Sequence, residues 1–207
     1  MLKEIINQKK SIHKRNISLV TYPHNDSEII VEGTLMDLRG KKIFNIMGKV
    51  VEPGIVHHMV VRLLVKGNPL MIVHAEAEMH HVPMEDCRST LVTLEKVIGI
   101  EIRSGFSNII RKTIGGKNGC THLTHLVTVM GQEIVHGWLT HKRSDRKTVP
   151  ERIDSFTGSE YILNSCKMWT REGPRWKSLE KKITKIKKGK HSALYSAING
   201  LKNHVLD

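Results

Sequence analysis

Apolar positions along the chain change their period as it proceeds, and each period predicts an element. From Ser27 to Asp37 the run SEIIVEGTLMD is dense in β-branched and aliphatic side chains, interrupted by Gly33, which predicts a strand. A loop, RGKKIFNIMGK, follows. Two apolar stretches, HHMVVRLLVK (57–66) and PLMIVHAEAEM (69–79), then flank Gly67-Asn68 just before Pro69, a pattern that predicts a β-hairpin. Strict alternation in the second stretch sets Met71, Val73, Ala75, Ala77 and Met79 on a buried face. Leu70, Ile72, His74, Glu76 and Glu78 fall on the other.

Beyond Pro83 the period becomes helical. Asp86 is placed to cap a helix running towards Ile98, with Cys87 in its first turn and Leu91, Leu94 and Ile98 inward, and Gly99 ends it. A short helix is expected over Ser107–Ile114. A glycine-rich turn then delivers Cys120 at the start of another helix, in which Leu123, Leu126, Val127, Met130 and Ile134 form a core stripe. His122, His125 and His136 share a different face of that helix. Residues 143–158 read as a polar loop and EYILNSCKMW as a strand. In the tail Leu179, Ile183, Ile186, Leu194, Ile198, Leu201 and Val205 recur at helical spacing with a gap around Gly189, which predicts one broken or two adjacent amphipathic helices. The expected architecture is α+β: an antiparallel sheet with helices on one face (residues 1–170) and a basic helical extension (171–207).

Charge sharpens the picture of the extension. The chain carries 33 Lys and Arg against 20 Asp and Glu, a net +13. Residues 167–207 hold 11 of those cations and 3 of the acids, so most of the excess lies there. Such a tail suits nucleic acid or an acidic partner, and its apolar stripe suits a protein partner or a second copy of the chain. A solvated helix surface is the plain alternative. Aromatics make up only 4% of the residues, which counts against single-strand stacking. No apolar run is long enough to span a bilayer and the N-terminus lacks a signal-peptide core, so a cytoplasmic protein without a membrane partner is expected. Three cysteines far apart (Cys87, Cys120, Cys166) fit a reducing compartment better than a disulfide framework.

Nucleotide-binding loops, a nucleophile elbow, HExxH and CxxC pairs are all missing from the sequence. What stands out are soft ligands at the ends of regular elements: His57-His58, His80-His81, Cys87, and Cys120 with His122. A thiolate at a helix start faces unpaired backbone N–H groups, which lowers its pKa and favours metal ligation or nucleophilic attack. A buried, inert cysteine and a merely polar surface histidine are the bland readings of the same residues. On the functional reading, Cys87, Cys120, His57, His58 and His122 are the candidate ligands for zinc, iron or an iron–sulfur cluster. On a competing one, Cys120 is a nucleophile with His122, His125 or His58 as its base, acting on a small acidic substrate.

The segments HHMVVRLLV, IVHAEAEMHHVPMEDC, LEKVIGIEIRSGF and GGKNGCTHLTHL resemble the bacterial domain-of-unknown-function family 2889, whose hallmark is the GCTHL run, here Gly119–Leu123. That likeness extends over about residues 10–175 and names no activity. The order of elements also resembles the layout of NifU/IscU-type iron–sulfur scaffold proteins. This second resemblance implies that Cys87 and Cys120 occupy the second and third cysteine positions. The first falls near Ile55, the scaffold aspartate near His57, and the scaffold histidine at Gly119. Two scaffold ligands are thus replaced, and His57, His58 or His122 would have to substitute. The function expected from the sequence is a metal- or iron–sulfur-binding accessory protein. The alternatives are the Cys120 enzyme and a binding module that works through the basic tail.

Overall fold

The computed structural model describes residues 1–145 and 149–202, with side chains described through residue 188. It forms two compact units, Met1–His141 and Lys142–Asp207. The first is an α+β unit built on a four-stranded antiparallel sheet. A short helix, α1 (Leu2–Asn7), precedes strand β1 (His13–Asn25), which pairs with β2 (Glu28–Arg39). A two-stranded excursion, β3 (Ile43–Phe44) and β4 (Val50–Val51), leads into β5 (Gly54–Lys66) and β6 (Met71–His81). The sheet order is β1-β2-β5-β6.

β2 shows why the sheet forms as it does. Ile29, Val31 and Leu35 are fully buried, while the residues between them are only partly covered, a period of two with one face in the core. Gly33 and Asp37 stand in the same phase. At Gly33 the long helix α3 (Thr121–Lys142) comes so near that a Cβ would lie 2.9 Å from the Met130 sulfur. Its Leu123, Leu126, Val127, Met130 and Ile134 are completely buried, as their spacing predicts. Each contributes on the order of 1.5–3 kcal/mol. Thr21 of β1 donates a 2.7 Å hydrogen bond to Glu133 Oε1, fixing the helix along the sheet.

The β5–β6 hairpin turns through Gly67-Asn68 as expected, with Asn68 at φ +52°. Its inward set differs from strict alternation. Leu64 pairs with His74 but Val65 pairs with Ile72, so Val73 is an extra residue in a bulge. A bulge shifts the phase by one and flips the side chains before it. Ile72 is therefore fully buried, Met71 and Val73 are only half-buried, and the expected alternation holds from His74 to Met79.

The segment after Pro83 also departs from expectation. Residues Glu85–Val97 form a 3₁₀ helix, not an α-helix, and Asp86 makes no capping bond. Ser89, Thr90 and Thr93 each donate their hydroxyl to the carbonyl three residues back (Asp86, Cys87 and Thr90), which favours the tighter winding. A three-residue repeat buries Leu94 and Val97 and leaves Ile98 exposed. Arg88 donates to the Met79 carbonyl, tying this segment to β6. Helix α2 (Phe106–Ile114) follows, burying Phe106, Ile110 and Ile114.

The second unit is helical. EYILNSCKMW is not a strand: α4 (Ser159–Ile162) and a 3₁₀ turn at Lys167–Trp169 take its place. The tail is one continuous helix, α5 (Pro174–Lys202), running through Gly189. Trp176 is buried and Leu179 and Ile183 are half-buried, but Ile186 is 41% exposed. The lysines from Lys177 to Lys188 are exposed, as expected. Leu194, Ile198, Leu201 and Val205 lie outside the residues whose side chains are described.

Candidate metal centre

The sheet register places three polar side chains in one row. Arg15 of β1 pairs with Asp37 of β2, and Asp37 pairs with His57 of β5. Asp37 follows Leu35 on the core-facing side of β2, so its carboxylate points where an apolar group would be expected. It is 1% exposed. A buried carboxylate stays ionised only when paired and hydrogen-bonded. Arg15 meets that need with two parallel bonds, Nε to Oδ1 at 2.7 Å and Nη2 to Oδ2 at 2.7 Å. His57 Nδ1 lies 3.0 Å from Oδ2, and since an ionised carboxylate only accepts, the imidazole is the donor.

The fourth member descends from α3. Its N-terminus is built by the GCTHL run and the threonine after it. A Cβ on Gly119 would stand 2.6 Å from the Ile114 carbonyl oxygen, so only glycine permits this approach to the end of α2. Cys120 stands at the start of the helix as expected, just before Thr121, its carbonyl accepting the Thr124 amide at 2.9 Å. Thr124 is buried and donates its hydroxyl to the carbonyls of Ile114 and Cys120. Leu123 enters the core. His122 is left facing the row, with Nε2 3.7 Å from Asp37 Oδ2 and its ring centroid 3.7 Å from that of His57.

Asp37, His57 and His122 offer one ligand atom each within 4.8 Å of one another. Donors about 2.1 Å from a shared ion lie about 3–3.6 Å apart at angles of roughly 90–120°. The 3.0 Å from Asp37 Oδ2 to His57 Nδ1 falls in that range once the proton between them gives way to the ion, and the 3.7 Å to His122 Nε2 lies just beyond it. Two imidazoles and a carboxylate form the donor set used for zinc and for non-haem iron(II). The electrostatics favour the metal-binding forms of these three groups. The Arg15 guanidinium holds the Asp37 carboxyl below its ordinary value. Burial pushes the His57 imidazole below its usual value despite the hydrogen bond it donates to Asp37. His122 is likewise lowered, first by burial and then by the neighbouring His57. Neutral imidazole and ionised carboxylate are the states that bind metal.

Of the residues singled out from the sequence, His57 and His122 meet here. Among the described residues, no group of three such ligands within this distance includes Cys87 or Cys120. Both sulfurs are free thiols at partly buried positions, and Cys166 is exposed. His58 neighbours His80, ring centroids 4.9 Å apart, and His125 and His136 are exposed. Asp37 and Arg15 escaped the sequence reading. The available signal was an acid in phase with the apolar positions of a strand.

The fold and this cluster define an α+β protein with an imidazole–carboxylate group at the junction of a sheet and a helix N-terminus. The chain belongs to the family described as Protein of unknown function (DUF2889), whose model matches residues 13–136. That span runs from the start of β1 into α3 and contains all four residues of the cluster. No curated protein and no solved structure matches the chain, so the likeness to NifU/IscU-type scaffolds gains no support from either comparison.

Proposed function

We propose that this chain is a metal-binding accessory protein that holds one divalent ion, zinc or iron(II), through His57, His122 and Asp37. The observation that carries the reading is the convergence of two imidazoles on a buried, Arg15-clamped carboxylate. The lowered His57 and His122 add to it, since burial favours the neutral imidazole, the form that ligates metal after loss of at most one N–H proton. A set of nitrogen and oxygen donors favours a mononuclear ion over an iron–sulfur cluster, which is held by thiolates. Positions left open on the ion would take water or a client's donor group.

Metal analysis of anaerobically purified full-length protein, followed by titration with zinc and iron(II), tests this. One equivalent should bind. Loss of an outer-sphere partner alone costs about 10–100-fold in metal affinity, and His57→Gln or His122→Gln should cost at least that. Cys87→Ser and Cys120→Ser should bind as the parent does. The opposite pattern would return the site to the cysteines.

A second reading rests on a different feature. Asp37 orients His57 through Nδ1 while Arg15 fixes the carboxylate, the arrangement of a general base held by an acid. Cys120, two residues before His122, is the nucleophile of the enzyme expected from the sequence, for which His122, His125 or His58 was the base; here His57 takes that role. Turnover that survives complete removal of metal and vanishes on thiol alkylation would favour it.

A further inference from the structure

The β3–β4 excursion does something unusual for a polar connection between core strands: it displays its apolar side chains to solvent. Ile46 is fully exposed, Met47 is 77% and Phe44 65% exposed, and Ile43 and Val50 are open as well. Around them stand Lys41, Lys42 and Lys49, all exposed, and no acid occurs between Gly40 and Val51. Ile46 and Met47 occupy the tip, with Lys49 beside them in the same loop and Lys41 and Lys42 at the base of β3.

The tip is also ordered from within. Asn45 Oδ1 accepts the amides of Met47 and Lys49, each at 3.0 Å. The Asn45 amide reaches the Lys49 carbonyl at 2.9 Å, and the Gly48 amide reaches the Asn45 carbonyl at 2.9 Å. Gly48 takes φ +72°, and a Cβ there would meet nothing within 4 Å. Four of the five amides from Asn45 to Lys49 are therefore bonded inside the loop. Water can satisfy such groups at an ordinary surface loop, but a hydrocarbon phase cannot, so a segment that enters one must satisfy them itself.

We infer that the β3–β4 hairpin is a wedge for an anionic lipid surface: Ile46 and Met47 enter the acyl boundary while Lys41, Lys42 and Lys49 meet headgroup phosphates. Exposed aliphatics at the tip with cations beside and behind it suit a bilayer interface, where acyl chains lie beneath anionic headgroups. A protein groove would also accept an apolar tip, but it offers backbone partners and does not call for a loop that bonds its own amides. No helix among the described residues is long and apolar enough to cross a membrane, and a wedge of this kind requires none. Such a contact departs from the expectation of no membrane partner and is independent of the metal reading.

Flotation of the full chain with phosphatidylcholine vesicles, with and without phosphatidylserine, tests it. The parent should float with the phosphatidylserine vesicles and retain part of that binding at high salt, because the apolar insertion is not screened. Replacing both Ile46→Ser and Met47→Ser should lower the partition at least about tenfold and leave only salt-sensitive binding. Both positions are exposed, so circular dichroism and metal binding should match the parent. Equal flotation of parent and double variant would overturn the wedge and assign the binding to the basic tail. A parent that never floats would overturn it too and leave a protein groove as the hairpin's partner.

Discussion

At the residue scale the structure turns on Asp37, a carboxylate at 1% exposure held by one guanidinium and one imidazole. Arg15→Met should leave it with His57 alone and destabilise the metal-free protein by about 2–3 kcal/mol in chemical denaturation. A change within 0.5 kcal/mol would mean that Arg15 does not compensate the buried charge. The histidines give the pH dependence its sign. Both are lowered in the folded state, so below the unfolded imidazole value of about 6.5 the unfolded chain binds protons that the native chain refuses. Metal-free stability should fall as pH drops from 7 through that value. Asp37 is lowered as well, so its contribution persists above the ordinary carboxylate range and is lost only as pH falls through its depressed folded value. Urea titrations at several pH values should show the first loss flatten in a His57→Gln, His122→Gln double variant. An unchanged slope would contradict the histidine assignment.

At the scale of elements, long regular patterns were legible and local exceptions were not. The α3 stripe was readable because five aliphatics at helical spacing have one consistent burial solution. Leu126→Ala, emptying a fully buried site against Gly33, should cost about 2–5 kcal/mol, whereas the exposed Ile186→Ala should stay within about 0.5 kcal/mol. Thermal denaturation of the two variants checks the contrast, and similar losses would refute the packing. The bulge at Val73 was hidden because an unbroken run of Leu, Met, Ile and Val fits either phase. The 3₁₀ segment was hidden because the step of three from Leu91 to Leu94 occurs in both kinds of helix; hydroxyls bonding to their own backbone decided it. The candidate centre was half legible. His57 and His122 stood out by type and place, but Asp37 required cross-strand register, a long-range property that no local pattern carries.

At the scale of the whole molecule, every residue of the candidate centre lies in the first unit, within the segment that defines the family. A chain ending at Lys142, the last residue of α3, should therefore fold by circular dichroism and bind one divalent ion as the full chain does. Folding with loss of binding would assign part of the site to the helical remainder. The central claim concerns which atoms hold the ion, and X-ray absorption fine structure on the loaded full-length protein addresses it most directly. The account predicts a single shell of nitrogen and oxygen donors at about 2.0–2.2 Å, with no sulfur. A shell at about 2.3 Å, the zinc–thiolate distance, would contradict it and place Cys87 or Cys120 on the metal.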